Sequence, residues 1–194
     1  GSNLSNSLDS TLNKASSSAH SAVDSMAGAA DARWTLIGQS TLFGPRDFRP
    51  GPAQRLWNDG WDGYGAARRR VTDSLQKHRV RNPVMLGGDV HENWVGHIKA
   101  DYDRPDSPSL GTEFCGTSIS SRSAYGATAP QRLADNPHFV FAEGTRRGYG
   151  ICEFTPSGLT TTLRVLDDAT RQDARVETLA RFAVQPGRPV VERA

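Results

Sequence analysis

The fold class this sequence predicts is α/β, mainly β, in layers. Three observations predict it: short strand-like runs outnumber helical ones, one long apolar run ends in glycines, and the last third alternates between strand patterns and tight turns. The chain has 194 residues, 36% hydrophobic, enough for a modest core in one domain with an appendage.

Residues 1–32 form the appendage. They are rich in Ser and Ala, and Leu4, Leu8, Leu12, Ala15, Ala19, Val23 and Met26 recur at helical spacing. The stripe is thin, so this amphipathic helix is expected to dock, to pair with another copy in a homo-oligomer, or to fray. Residues 33–194 form the domain. Trp34–Gly38 reads as a strand, and 43–61 as a loop punctuated by Pro45, Pro50, Pro52 and Asn58-Asp59-Gly60. A helix fits Gly63–His78, with Tyr64, Ala67, Val71 and Leu75 on its apolar face and Arg68, Arg69, Arg70 and Lys77 largely outside it.

Asn82-Pro83-Val84-Met85-Leu86-Gly87-Gly88 reads as a buried, central strand closed by a tight loop. Further strands are expected at Trp94–Ala100, Gly111–Thr117, Phe139–Glu143, Gly148–Phe154, Leu159–Leu166 and Val176–Val184, with Pro156-Ser157-Gly158 as a hairpin turn.

Composition narrows the function. With 23 basic and 21 acidic residues the net charge is +2, which gives no reason to expect a nucleic-acid partner. No apolar run approaches the roughly 18 residues of a membrane span, and no segment has the order of a signal peptide. Cys115 and Cys152 lack zinc-site spacing; they read as buried free thiols, or as a disulfide if their strands are neighbours.

The chemistry concentrates in Gly87-Gly88-Asp89-Val90-His91-Glu92-Asn93-Trp94. A strand delivers its end into a glycine turn, and Asp89 and His91 follow two residues apart. If the chain stays extended, both project from one side. A carboxylate and an imidazole so placed suit a hard or borderline metal ion. Alone, so short a motif also reads as a turn Asp capping a helix and a His packing on Trp94.

The surroundings add a resemblance. Arg33-Trp34 to Gln39; Asp59-Gly60-Trp61-Asp62-Gly63-Tyr64, then Arg68–Arg70; Asn82-Pro83 to His91, then Trp94; Thr112-Glu113-Phe114 to Ile119; Asn136-Pro137-His138; and Arg147-Gly148-Tyr149 occur in that order. Together they resemble the C-terminal portion of PhoD-like alkaline phosphatases, within the calcineurin-like metallophosphoesterases, from about Arg33 to Arg188. The resemblance implies a partial metallophosphoesterase-like sheet sandwich with flanking helices and metals at strand ends. It implies hydrolysis of phosphomonoesters and phosphodiesters with iron and calcium, and an exported protein.

Carried over by motif, Asp89 and His91 are implied as catalytic metal ligands, Asp89 on the calcium side and His91 on the iron side. Asn93 and Arg147 are weaker candidates for contacting a phosphoester substrate. Glu113, buried by its neighbours, needs a partner, and Arg147 is expected to supply it. His138 reads as packing or turn. The family pattern also has a longer N-terminal portion with the remaining ligands, and those motifs do not occur here. A truncated gene, a fusion or a short relative would each give this. Two functions follow: a phosphoesterase active once its site is complete, or a non-catalytic folded module that oligomerises through residues 1–32.

Overall fold

A computed structural model describes Ser21, residues 32–49 and residues 51–194. The helix expected within 1–32 falls outside these residues, apart from Ser21, which is helical.

The described chain runs β1 (Thr35–Gly38), a 3-10 turn (Trp61–Tyr64), α1 (Gly65–Lys77), β2 (Pro83–Gly87), β3 (Asn93–Lys99) and β4 (Ser109–Cys115). Short 3-10 turns at Gly126–Thr128 and Pro130–Asp135 lead to β5 (Phe139–Glu143). Then come β6 (Gly148–Phe154), β7 (Leu159–Leu166), β8 (Val176–Gln185) and β9 (Arg188–Arg193). Two sheets result: one in the order β1-β2-β4-β3-β5, the other an antiparallel meander β6-β7-β8-β9. β4, rather than β2, occupies the middle of the first sheet. The last strand, β9, lies beyond those expected.

Alternation explains the layers. Val84, Val95 and Phe114 face the meander and pack against Leu159, Leu163, Phe182, Val184 and Val191. The opposite side of β2 and β3 offers Met85 and Ile98 to Val71 and Leu75 of α1 and to Phe43. Each such side chain contributes about 1.5–3 kcal/mol when fully buried. Polar ties help register the two sheets: the Val191 N–H donates to His97 Nε2 at 3.1 Å.

α1 departs from its expected faces. Tyr64, expected on the apolar side, is exposed, whereas Arg68 is buried. Its guanidinium donates to Asp62 at 2.6 Å and to the Phe43 carbonyl at 3.3 Å. An ion pair therefore takes an arginine inward that its charge alone would leave in water.

The cysteines are free. Cys115 packs with Trp94 and Phe139, whereas Cys152 packs against the core between the sheets. Different layers hold them, so no bridge forms.

β1, β2 and β4 are parallel, and β3 runs against both β4 and β5. The C-terminal ends of β1, β2, β4 and β5 therefore meet the start of β3 at one end of the sheet. Loops leaving that end are where parallel sheets carry ligand sites.

Candidate functional site

β2 must hand over to β3 across the intervening β4, and residues 88–92 make the crossing. Gly87 has to be glycine, because a Cβ there would lie 2.1 Å from the Thr41 carbonyl oxygen. The Gly116 N–H donates to the Gly87 carbonyl at 3.0 Å, and the Val90 N–H donates to the Gly88 carbonyl at 2.7 Å. That closes a tight turn. Asp89 (φ 67°) and His91 (φ 58°) both adopt the left-handed region. The extended run from which both side chains would project together does not form. The two residues instead share one compact, strained turn, and backbone of this kind persists only where surrounding bonds hold it.

The surrounding bonds are specific. The His91 carbonyl accepts from Arg147 Nη1 at 3.1 Å and lies 3.2 Å from the Thr117 hydroxyl. The Thr117 N–H donates to Asn93 Oδ1 at 3.1 Å. His91 Nδ1 lies 3.3 Å from the Arg122 carbonyl. A carbonyl only accepts, so Nδ1 is the donor of this contact, and in the neutral ring that leaves the lone pair on Nε2. Asp89 is exposed and His91 half-buried.

Asn93 and Arg147 are both buried. Arg147 donates to Ser118 Oγ at 2.8 Å, to the Gly144 carbonyl at 2.5 Å and to the Ser121 carbonyl. Among the described residues, Asn93 Nδ2 has no hydrogen-bond partner.

The expected pairing of Glu113 with Arg147 does not occur. Glu113 aligns with Met85 on β2 and points to the α1 side, whereas Arg147 lies just before β6, beyond the strand ends. The Glu113 carboxylate accepts instead from the backbone N–H groups of Phe43 at 2.5 Å and Gly44 at 2.9 Å. Burial pushes this carboxyl up to about 7, although those N–H groups and Arg68 pull the other way.

Glu92, which sequence reasoning passed over, is as heavily bonded at this end as Arg147. It is fully buried. It accepts from Arg46 Nη1 at 2.8 Å, Arg132 Nη2 at 2.9 Å, Trp94 Nε1 at 2.8 Å and Ser123 Oγ at 2.7 Å. Burial alone would raise its pKa. The Ser123 hydroxyl, Arg46, Arg132 and Trp94 outweigh that and hold it below the usual carboxylate range. A Glu inside an otherwise buried strand entry was the available signal; its arginines lie 46 and 40 residues away in sequence.

A groove of about 380 Å³ opens beside this cluster, with Ser120, Arg122, Arg146 and Asp168 among its walls. Among the described residues, no three His, Cys, Asp or Glu side chains come close enough to hold a metal ion. Cys115 adds nothing, since burial keeps its thiol protonated. Asp89 and His91 supply a carboxylate and an imidazole, donor types that suit such an ion.

Residues 23–163 match the family model described as PhoD-like phosphatase. The chain belongs to the PhoD-like phosphatase family. It is 34% identical over 161 residues to Alkaline phosphatase D of Bacillus subtilis (strain 168), covering 81% of this chain and 27% of that protein. The solved structure titled "Structure of PhoD" is similar at 30% identity with a TM-score of 0.81, over 90% of this chain and 34% of that one. This PhoD-like chain thus spans about a third or less of the relatives it matches.

Proposed function

We propose that this PhoD-like chain carries part of the active site of a metal-dependent hydrolase of phosphomonoesters and phosphodiesters, with Asp89 and His91 as its metal ligands. The observation that carries the reading is the strand-end turn itself: it lies inside the family match and carries in one turn an exposed carboxylate and a half-buried imidazole whose Nδ1 faces the Arg122 carbonyl. When bound, iron and calcium would supply an activated water and neutralise charge on the phosphoryl oxygens. The chain's own residues do the holding. Arg147 and Thr117 fix the His91 carbonyl, and Arg122 fixes the Nδ1 proton. Arg147 turns Nη1 and Nη2 to backbone and hydroxyl oxygens, which favours a holding role over contact with substrate. Export, carried by the likeness to an alkaline phosphatase, belongs to the same reading.

The test is metal content after gel filtration in iron and calcium, together with hydrolysis of an aryl phosphate and an aryl phosphodiester. With two ligands among the described residues, turnover by the 194-residue chain is expected to be low. Asp89→Ala and His91→Ala are expected to lower both bound metal and turnover. Metal and turnover unchanged in both variants would overturn the proposal.

A further inference from the structure

The His91 ring is restrained by a backbone carbonyl rather than by a side chain. That carbonyl, of Arg122, belongs to residues 116–123, which contain neither helix nor strand. A carbonyl in such a loop defines a direction only if something fixes the loop. Two groups do. On one side, Arg147 donates to the Ser121 carbonyl. On the other, the Ser123 hydroxyl donates to Glu92 Oε1 at 2.7 Å. Glu92 cannot yield, because Arg46, Arg132 and Trp94 hold it in a buried pocket. Arg147 also donates to the carbonyl of His91 itself, at 3.1 Å. One guanidinium therefore ties the backbone of His91 to the loop that faces its ring.

We propose that Glu92, Ser123 and Arg147 are positioning residues for His91: they hold the Arg122 carbonyl against Nδ1, so that the ring keeps the Nδ1–H tautomer and aims Nε2 outward as a ligand. The ligand role rests on the proposed function; the fixed ring does not. In water the two neutral tautomers of imidazole interconvert, and which one persists in a protein is set by what the other nitrogen bonds. Here the acceptor is itself set by the buried carboxylate one residue further on.

The experiment is a long-range proton–nitrogen NMR correlation of the histidine rings in the 194-residue chain. Two internal references come with the fold. His97 accepts at Nε2 from Val191, and His138 donates from Nε2 to the Pro45 carbonyl at 2.8 Å, so their tautomers are opposite and fixed. His91 is expected to show the Nδ1–H pattern. In Ser123→Ala its two nitrogen resonances are expected to converge, as an exchanging pair does, while His97 and His138 stay in place. Ser123→Thr, which keeps the hydroxyl, is expected to restore the separation. Glu92→Gln provides a second route to the same convergence, with His97 and His138 reporting whether the fold survives. Titration with Zn²⁺ alone is expected to move the Nε2 resonance, with affinity falling about 10- to 100-fold in Ser123→Ala.

A His91 pattern unchanged in both Ser123→Ala and Glu92→Gln, or an Nε2–H pattern in the parent, would overturn the proposal. If the tautomer responds as expected but Zn²⁺ leaves Nε2 unmoved, the ligand role of His91 falls and the positioning stands.

Discussion

The meander β6–β9 and the site end of the five-stranded sheet are held together by different physics. In the meander, neighbours in sequence are neighbours in space, and β7 alternates a buried face of Leu159, Thr161, Leu163 and Val165 with a more open one. Its charged groups lie outside, as in the Arg146–Glu177 and Arg171–Asp173 pairs. At the site end the charges lie inside. Glu92 joins Arg46 and Arg132, Asp62 joins Arg68, and Glu113 holds the backbone at Phe43 and Gly44. Apolar alternation suffices to make a sheet, but it cannot hold a left-handed turn or aim a ring, and directional bonds can.

The largest effect should come from breaking the buried charge cluster. Glu92→Leu keeps the volume and removes the charge, leaving two guanidinium groups uncompensated, and is expected to cost about 3–5 kcal/mol in urea unfolding. Leu163→Ala in the meander is expected to cost about 2–5 kcal/mol, by opening a cavity. What separates the regions is rescue. Replacing Arg46 and Arg132 by Met alongside Glu92→Leu is expected to recover much of the loss, because a buried ion cluster is often no more stable than an apolar one of like volume. No second substitution of charge would recover Leu163→Ala. Equal failure of the triple variant would mean the cluster is held by shape, as the meander is.

Next in size is pH dependence. Glu113 and His138 both pin the 43–45 segment, through Phe43, Gly44 and the Pro45 carbonyl. Burial lifts Glu113 from 4.5 to about 7. The folded state then binds a proton the unfolded state has lost, so this contribution is full below about 4.5 and is lost as pH rises through 7. Burial depresses His138 from 6.5 to about 4. Here the unfolded state binds the extra proton, so this contribution is full above 6.5 and is lost as pH falls through about 4.

Between those limits the two slopes oppose. His138→Gln is expected to unmask a stability that declines, by a few kcal/mol in all, as pH rises from about 4.5 to 7. Glu113→Gln should unmask the reverse slope. Urea midpoints across pH for both variants check this, and two flat profiles would break it. The exposed ionisable pairs of the meander are expected to add little.

The same division decided what could be read from sequence. β5, β6 and β7 have the bounds their alternation predicts, because a period of two needs only local information. β9 escaped because Arg188-Pro189-Val190-Val191-Glu192-Arg193 carries charge and a proline, the composition of a protected edge. The Asp89–His91 turn is legible as a motif, yet its left-handed backbone is not, since nothing local distinguishes an Asp or His that adopts that region from one that does not. Glu92 and Glu113 depend on partners tens of residues away. Buried polar networks are matched in three dimensions and leave no period in the chain.

The smallest effect is the sharpest comparison, because it contrasts two adjacent arginines. Arg146 pairs with Glu177 in the open, with 37% and 54% of the two side chains exposed. Arg147, one residue on, is buried, with donors on the carbonyls of His91, Ser121 and Gly144. Arg147→Ala takes the donor from these three carbonyls and from Ser118 Oγ and is expected to cost on the order of 3 kcal/mol. Arg146→Ala removes a solvated pair and is expected to cost less than about 1 kcal/mol. Salt tells them apart mechanistically. At 1 M NaCl charges are screened within roughly 3 Å, so whatever Arg146 contributes should fade. The Arg147 bonds, shielded from solvent, should persist, and the gap between the two variants should hold or widen. Equal costs, or a salt-sensitive Arg147, would mean that the site end is held by surface charge and that its contrast with the meander is one of sequence alone.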